Sequence, residues 1–104
     1  MDIDEKADLM TLTSVALAAG RRDWTEFDER LAPYQGAWPS KAALERDHPW
    51  LLEHAGQYAR EAGRPERARL AWNIARRLWE RLGRRQEAAR VSRWTESLPE
   101  GDGR

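Results

Sequence analysis

A chain of 104 residues has room for one domain. Its apolar share of 40%, charged share of 35% and six tryptophans exclude a disordered tract, and a formal net charge of zero argues against a dedicated nucleic-acid binder. The absence of cysteine excludes disulfides and thiolate zinc sites. The longest apolar run, Val15 to Ala19, is too short for a bilayer. The acidic opening Met1-Asp2-Ile3-Asp4-Glu5 lacks the basic start of a secretory signal, so a soluble, cytoplasmic protein is expected.

Charge is unevenly spread along the chain. Residues 1–54 carry 6 basic and 11 acidic side chains, a net −5, and residues 55–104 carry 12 and 7, a net +5. Such a dipole suits head-to-tail contact or an acidic partner.

Apolar residues recur at spacings of three and four, which predicts about five amphipathic helices and no strands. Ala19-Gly20, Ala62-Gly63 and Leu82-Gly83 mark three expected helix ends, each with arginine next. The first helix is expected from about Asp4 to Ala19, with a main stripe of Leu9, Leu12, Val15, Ala16 and Ala19. A second stripe, Met10, Thr13 and Leu17, lies to one side of it. The second helix, about Arg22 to Ala32, turns Trp24, Phe27 and Leu31 to one face.

Residues 33–49 hold three of the five prolines and read as a connector, with a short helix expected from Ser40 to Asp47. A third helix begins near Pro49 and carries Leu51, Leu52, Ala55, Tyr58, Ala59 and Ala62 on its apolar side. Pro65 opens the fourth in its first turn, where proline is tolerated. On that helix Ala68, Ala71, Trp72, Ile74, Ala75, Leu78, Trp79 and Leu82 cover an arc wider than the roughly 100° one neighbour needs. It must touch at least two others. The last helix, about Arg85 to Leu98, has one narrow face of Ala88, Val91, Trp94 and Leu98, as a terminal cap would. The tail 99–104 is expected to be mobile, leaving 1–98 as a single domain.

Within Trp50 to Leu82, the residues Leu52, Ala55-Gly56, Ala59, Ala68, Trp72 and Ala75 resemble the tetratricopeptide repeat. Glu80 stands where that family usually has proline, and Ala59 where it usually has tyrosine. Leu12, Val15-Ala16 and Ala19 repeat the first-helix spacing 40 residues upstream, with Phe27 and Leu31 one residue out of register in the second helix. The resemblance implies an all-α fold of antiparallel helical hairpins stacked as a short solenoid, one good repeat over about 50–82 and a degenerate one over about 9–32. It also implies a peptide groove lined by the first helix of each hairpin. Carried over by spacing, its partner-binding positions are Trp50, Glu53, Gln57 and Arg60, with Met10, Thr13 and Leu17 upstream.

Chemistry is sparse. His48 and His54 face different directions on one helix, and no serine–histidine–aspartate grouping, phosphate loop or paired acids stand out. No catalytic role, metal, cofactor or small-molecule substrate is expected. Residues 60–93 are arginine-rich, and Arg67, Arg76, Arg77, Arg81, Arg84, Arg85 and Arg90 are candidates for a basic stripe. The expected function is a protein–protein interaction module, an adaptor or self-associating scaffold. The alternative is a small subunit of a nucleoprotein assembly with that stripe on phosphates. Trp38 and Trp50 are open between core and contact surface.

Overall fold

The computed structural model describes residues 5–35 and 47–98, the side chains of 5–10, Pro33 and Gln35 excepted. Among these residues the chain is all-α: α1 Glu5–Arg21, α2 Trp24–Leu31, a 3-10 turn Ala32–Gln35, α3 Asp47–Glu61, α4 Pro65–Arg81 and α5 Arg85–Glu96. The short helix expected from Ser40 to Asp47 lies outside the described residues, apart from Asp47, which opens α3. Trp38, the tail 99–104 and the Met10 side chain also lie outside them.

Three connections of only a few residues share one geometry. In each, a residue in the left-handed region follows a helix and the next residue caps the following one. The left-handed residues are Arg22 (φ 63°), Gly63 (φ 77°) and Gly83 (φ 75°). Asp23 N–H donates to Ala18 O at 2.8 Å, Arg64 N–H to Ala59 O at 2.8 Å, and Arg84 N–H to Trp79 O at 2.9 Å. This bond closes helices that end on a left-handed residue. Gly63 and Gly83 thus occupy the expected position just past a helix end. Gly20 does not: α1 runs through it to Arg21, and Arg22 takes the left-handed turn. The Asp23 side chain accepts from Glu26 N–H at 3.2 Å and caps α2.

A Cβ at positive φ costs about 1–2 kcal/mol, which glycine avoids at some entropic cost in the unfolded chain. Arg22 is exposed. Arg22→Gly is therefore expected to stabilise the fold by about 0.5–1 kcal/mol, read as a higher urea midpoint with unchanged slope.

The turns relate the first hairpin to the second by 41 residues, Arg22 matching Gly63 and Asp23 matching Arg64. At 41, Phe27 and Leu31 fall on the buried Ala68 and Trp72, whereas the buried Leu12, Val15, Ala16 and Ala19 of α1 match Leu52, Ala55, Gly56 and Ala59 of α3 at 40, so the one-residue slip read from the sequence stands. Contacts run α2–α1–α3–α4–α5, each helix packed mainly on its neighbour in that order. Gly20 near the end of α1 lies beside the Tyr58 ring near the end of α3, so these helices run the same way. Trp24 at the start of α2 lies beneath the guanidinium groups of Arg64 (5.8 Å) and Arg67 (5.6 Å) at the start of α4. Arg67 also holds Asp28 of α2 through two hydrogen bonds of 2.8 and 3.0 Å.

The core is built from Leu12, Val15, Phe27, Leu31, Leu52, Trp72, Leu78 and Val91, all at most 1% exposed, with alanines between them. α4 buries the broad face read from its sequence, from Ala68 to Trp79, and touches both α3 and α5. Gly56 of α3 faces Trp72 of α4 so closely that a Cβ would enter the indole ring. The Trp72 Nε1–H donates to Glu53 O at 3.0 Å.

Candidate partner-binding surface

α3 buries His48, Pro49, Leu52, Glu53, Ala55, Gly56 and Ala59, and the opposite side of the helix faces outward. Trp50 and Tyr58 flank His54 there at intervals of one turn. The Trp50 ring stands edge-on to His54 with centroids 4.2 Å apart, and His54 lies 6.5 Å from Tyr58. The Tyr58 ring rests beside Gly20 of α1, where a Cβ would sit 3.8 Å from it in ordinary contact. Leu17 lies one turn before Gly20 on the same outward side of α1.

Leu17 is 56% exposed, Trp50 52% and Tyr58 41%, the large hydrophobic side chains left exposed among the described residues. All three belong to the outer face of the adjacent pair α1 and α3. Trp50 is therefore a surface residue. Tyr58, read from the sequence as part of the apolar side, sits at the edge of the buried arc and turns outward over Gly20.

The groove positions carried over by spacing divide. Leu17 and Trp50 lie on this face. Thr13 is exposed on α1, and Gln57 and Arg60 flank the α3 ridge, Gln57 Nε2 donating to Glu61 at 3.3 Å. Glu53 does not belong to the groove. It is 7% exposed and turned toward α4 and α5, where its Oε2 accepts from Trp79 Nε1–H at 2.6 Å and from Arg90 at 2.8 Å. Two buried indole N–H groups thus end on one residue, Trp72 on its carbonyl and Trp79 on its carboxylate. Burial pushes the Glu53 carboxyl above its ordinary value of 4.5, the Trp79 hydrogen bond and the Arg90 charge offsetting part of the rise.

The arginines do not form one free stripe. Arg67 is held by Asp28, Arg76 by Glu80 at 3.0 Å, and Arg90 by Glu53 while stacking on Trp94 at 5.1 Å. Arg77, Arg81, Arg84 and Arg85 are exposed around the end of α4 and the turn into α5. The sequence offered no direct cue to the Glu53–Arg90 pair, whose members are 37 residues apart. Its one clue was that Trp72 and Trp79, both on the buried arc of α4, each required an acceptor.

No group of three or more histidine, aspartate or glutamate side chains converges as a metal site among the described residues. No helix among them is long and apolar enough to cross a membrane. A scan against protein-family models finds no match, and neither curated proteins nor solved structures give a significant one.

Proposed function

We propose that this chain is a non-catalytic protein–protein interaction module that engages its partner through the outer face of α1 and α3. The observation that carries this reading is the clustering of Leu17, Trp50 and Tyr58 on that face while, among the described residues, other large apolar side chains are at least partly withdrawn. Tryptophan and tyrosine on a rigid helix lose little conformational freedom on docking and are favoured at binding hot spots. An apolar cluster on an otherwise charged surface marks a contact site.

The resemblance of residues 50–82 to a tetratricopeptide repeat supports the same face. So does the common direction of the two hairpins, which aligns their first helices side by side as in a short stack of hairpins. In that reading α5 is the solvated cap and the protein acts in the cytoplasm, where a cysteine-free fold loses nothing to a reducing environment. The phosphate-binding alternative has less support, since three of the stripe's seven arginines are already held by carboxylates.

The test is capture of a partner by the full chain and by variants of the face. Leu17→Glu places a charge in the apolar cluster and is expected to weaken capture about a hundredfold, or about 2.7 kcal/mol, with helicity unchanged. Binding should weaken no more than severalfold between low and high salt. Capture that ignores Leu17→Glu but collapses with salt would instead favour the exposed arginines.

A further inference from the structure

Resting on that reading, we infer that the occupant of the α1–α3 face is a second copy of this chain, docked about a two-fold axis running along the two helices. The geometry supplies the match. Gly20 is level with Tyr58, so Leu17, one turn earlier, is level with the step between His54 and Tyr58. An axis along the helices lays α1 of each copy over α3 of the other. Each Leu17 then meets the ridge of Trp50, His54 and Tyr58 of the partner subunit. The contact is isologous, occurring twice by symmetry, and it covers Leu17, Trp50 and Tyr58, the large hydrophobic side chains exposed among the described residues, on both copies.

Charge selects the same occupant and the same axis. The chain has no net charge, so two copies do not repel as wholes. Among the described residues, 5–35, which form α1 and α2, carry 4 basic and 6 acidic side chains, a net −2, and 47–98, which form α3, α4 and α5, carry 11 and 7, a net +4. The dipole therefore runs across the row of helices rather than along them. A two-fold axis parallel to the helices reverses that row and sets the acidic hairpin of each copy toward the basic half of the other. An axis perpendicular to the helices and lying along the row would leave like charges over like.

The experiment uses the full chain, in which any introduced cysteine is unique. Light scattering is expected to show a dimer at about 50 μM in low salt, with a dissociation constant that rises severalfold at about 0.5 M salt as the dipolar attraction is screened. Leu17→Glu and Trp50→Ala, each with unchanged helicity, should be monomers under the same conditions. Arg93→Ala, on the exposed side of α5, should remain a dimer. Mild oxidation of a mixture of Leu17→Cys and His54→Cys chains should give a covalent heterodimer as the main product. His54→Cys chains linking chiefly to themselves would overturn the arrangement, since that requires α3 to face α3. A wild-type monomer at every concentration would overturn the second copy as occupant. The reading of the face as a contact surface fails separately, only if Leu17→Glu also leaves capture of other partners intact.

Discussion

Replacing Gly56 with alanine is expected to cost the fold about 2–4 kcal/mol, although alanine is the better helix former by about 1 kcal/mol. Gly56 lies inside α3, where intrinsic propensity alone would favour the substitution. What opposes it is Trp72. A Cβ at position 56 would fall well inside contact distance of the indole Nε1 and Cδ1 and 2.8 Å from Cε2. The ring has little freedom to withdraw. It is 1% exposed, it packs on Trp94 with centroids 5.4 Å apart, and its N–H is committed to Glu53 O. Moving it would break that hydrogen bond inside the core or push α5 outward. Urea unfolding would measure the loss. The cause is isolated by adding Trp72→Phe, whose smaller ring lacks the offending edge. The double variant should be more stable than the sum of the single losses predicts, by at least about 1 kcal/mol. A single variant within about 0.5 kcal/mol of the parent would mean that α3 and α4 can part without penalty, and the close approach would not be what holds this hairpin.

That contact also shows how far the sequence could be read. Periodicity gave the five helices and their faces because burial follows 3.6-residue geometry locally, and the wide apolar arc of α4 foretold its two neighbours. Gly56 stood out only among the residues that carry the repeat resemblance, and Pro65, Gly63 and Gly83 marked their turns through backbone chemistry alone. Gly20 misled for the same reason. A glycine near a helix end resembles a stop, yet α1 runs through Gly20, where a Cβ would only be in ordinary contact with the Tyr58 ring, and Arg22 takes the strained conformation. The one-residue slip between the hairpins was legible too: the buried faces of α1 and α3 match at 40, whereas the turns and the second helices match at 41. Of the surface, Trp50 had stayed open between core and contact surface, while Leu17 could be placed because it lay off the main stripe of α1. Glu53 could not: position on the helix wheel puts it at the rim, and only α4 and α5 supply the two donors that draw it inward. Long-range pairing of a buried charge leaves no local pattern.

Glu53 provides the second large effect, and it depends on pH. Glu53→Ala removes the shared acceptor of Trp79 and Arg90, leaving a buried indole N–H and a partly buried guanidinium without it. Losing one partner of a buried pair costs about 3–5 kcal/mol. Because the Arg90 side chain is 41% exposed and water can take up part of its charge, about 2–3 kcal/mol is expected here. Glu53→Gln should cost less, since the amide oxygen can still accept from both donors. Comparing Gln with the parent isolates the charge. The folded state holds the Glu53 proton more tightly than the unfolded chain, because burial outweighs the Trp79 and Arg90 interactions. The stabilisation from that tighter proton is complete below 4.5 and is lost as pH rises through the folded-state value. Relative to Glu53→Gln, the parent chain should therefore gain stability on acidification from neutral pH toward 4.5 and level off below it. A stability difference that instead grows as pH rises would show that the Arg90 pair prevails over desolvation. The buried carboxylate would then be a net clasp between α3 and α5 at neutral pH, and α5 would be expected to loosen in acid rather than tighten.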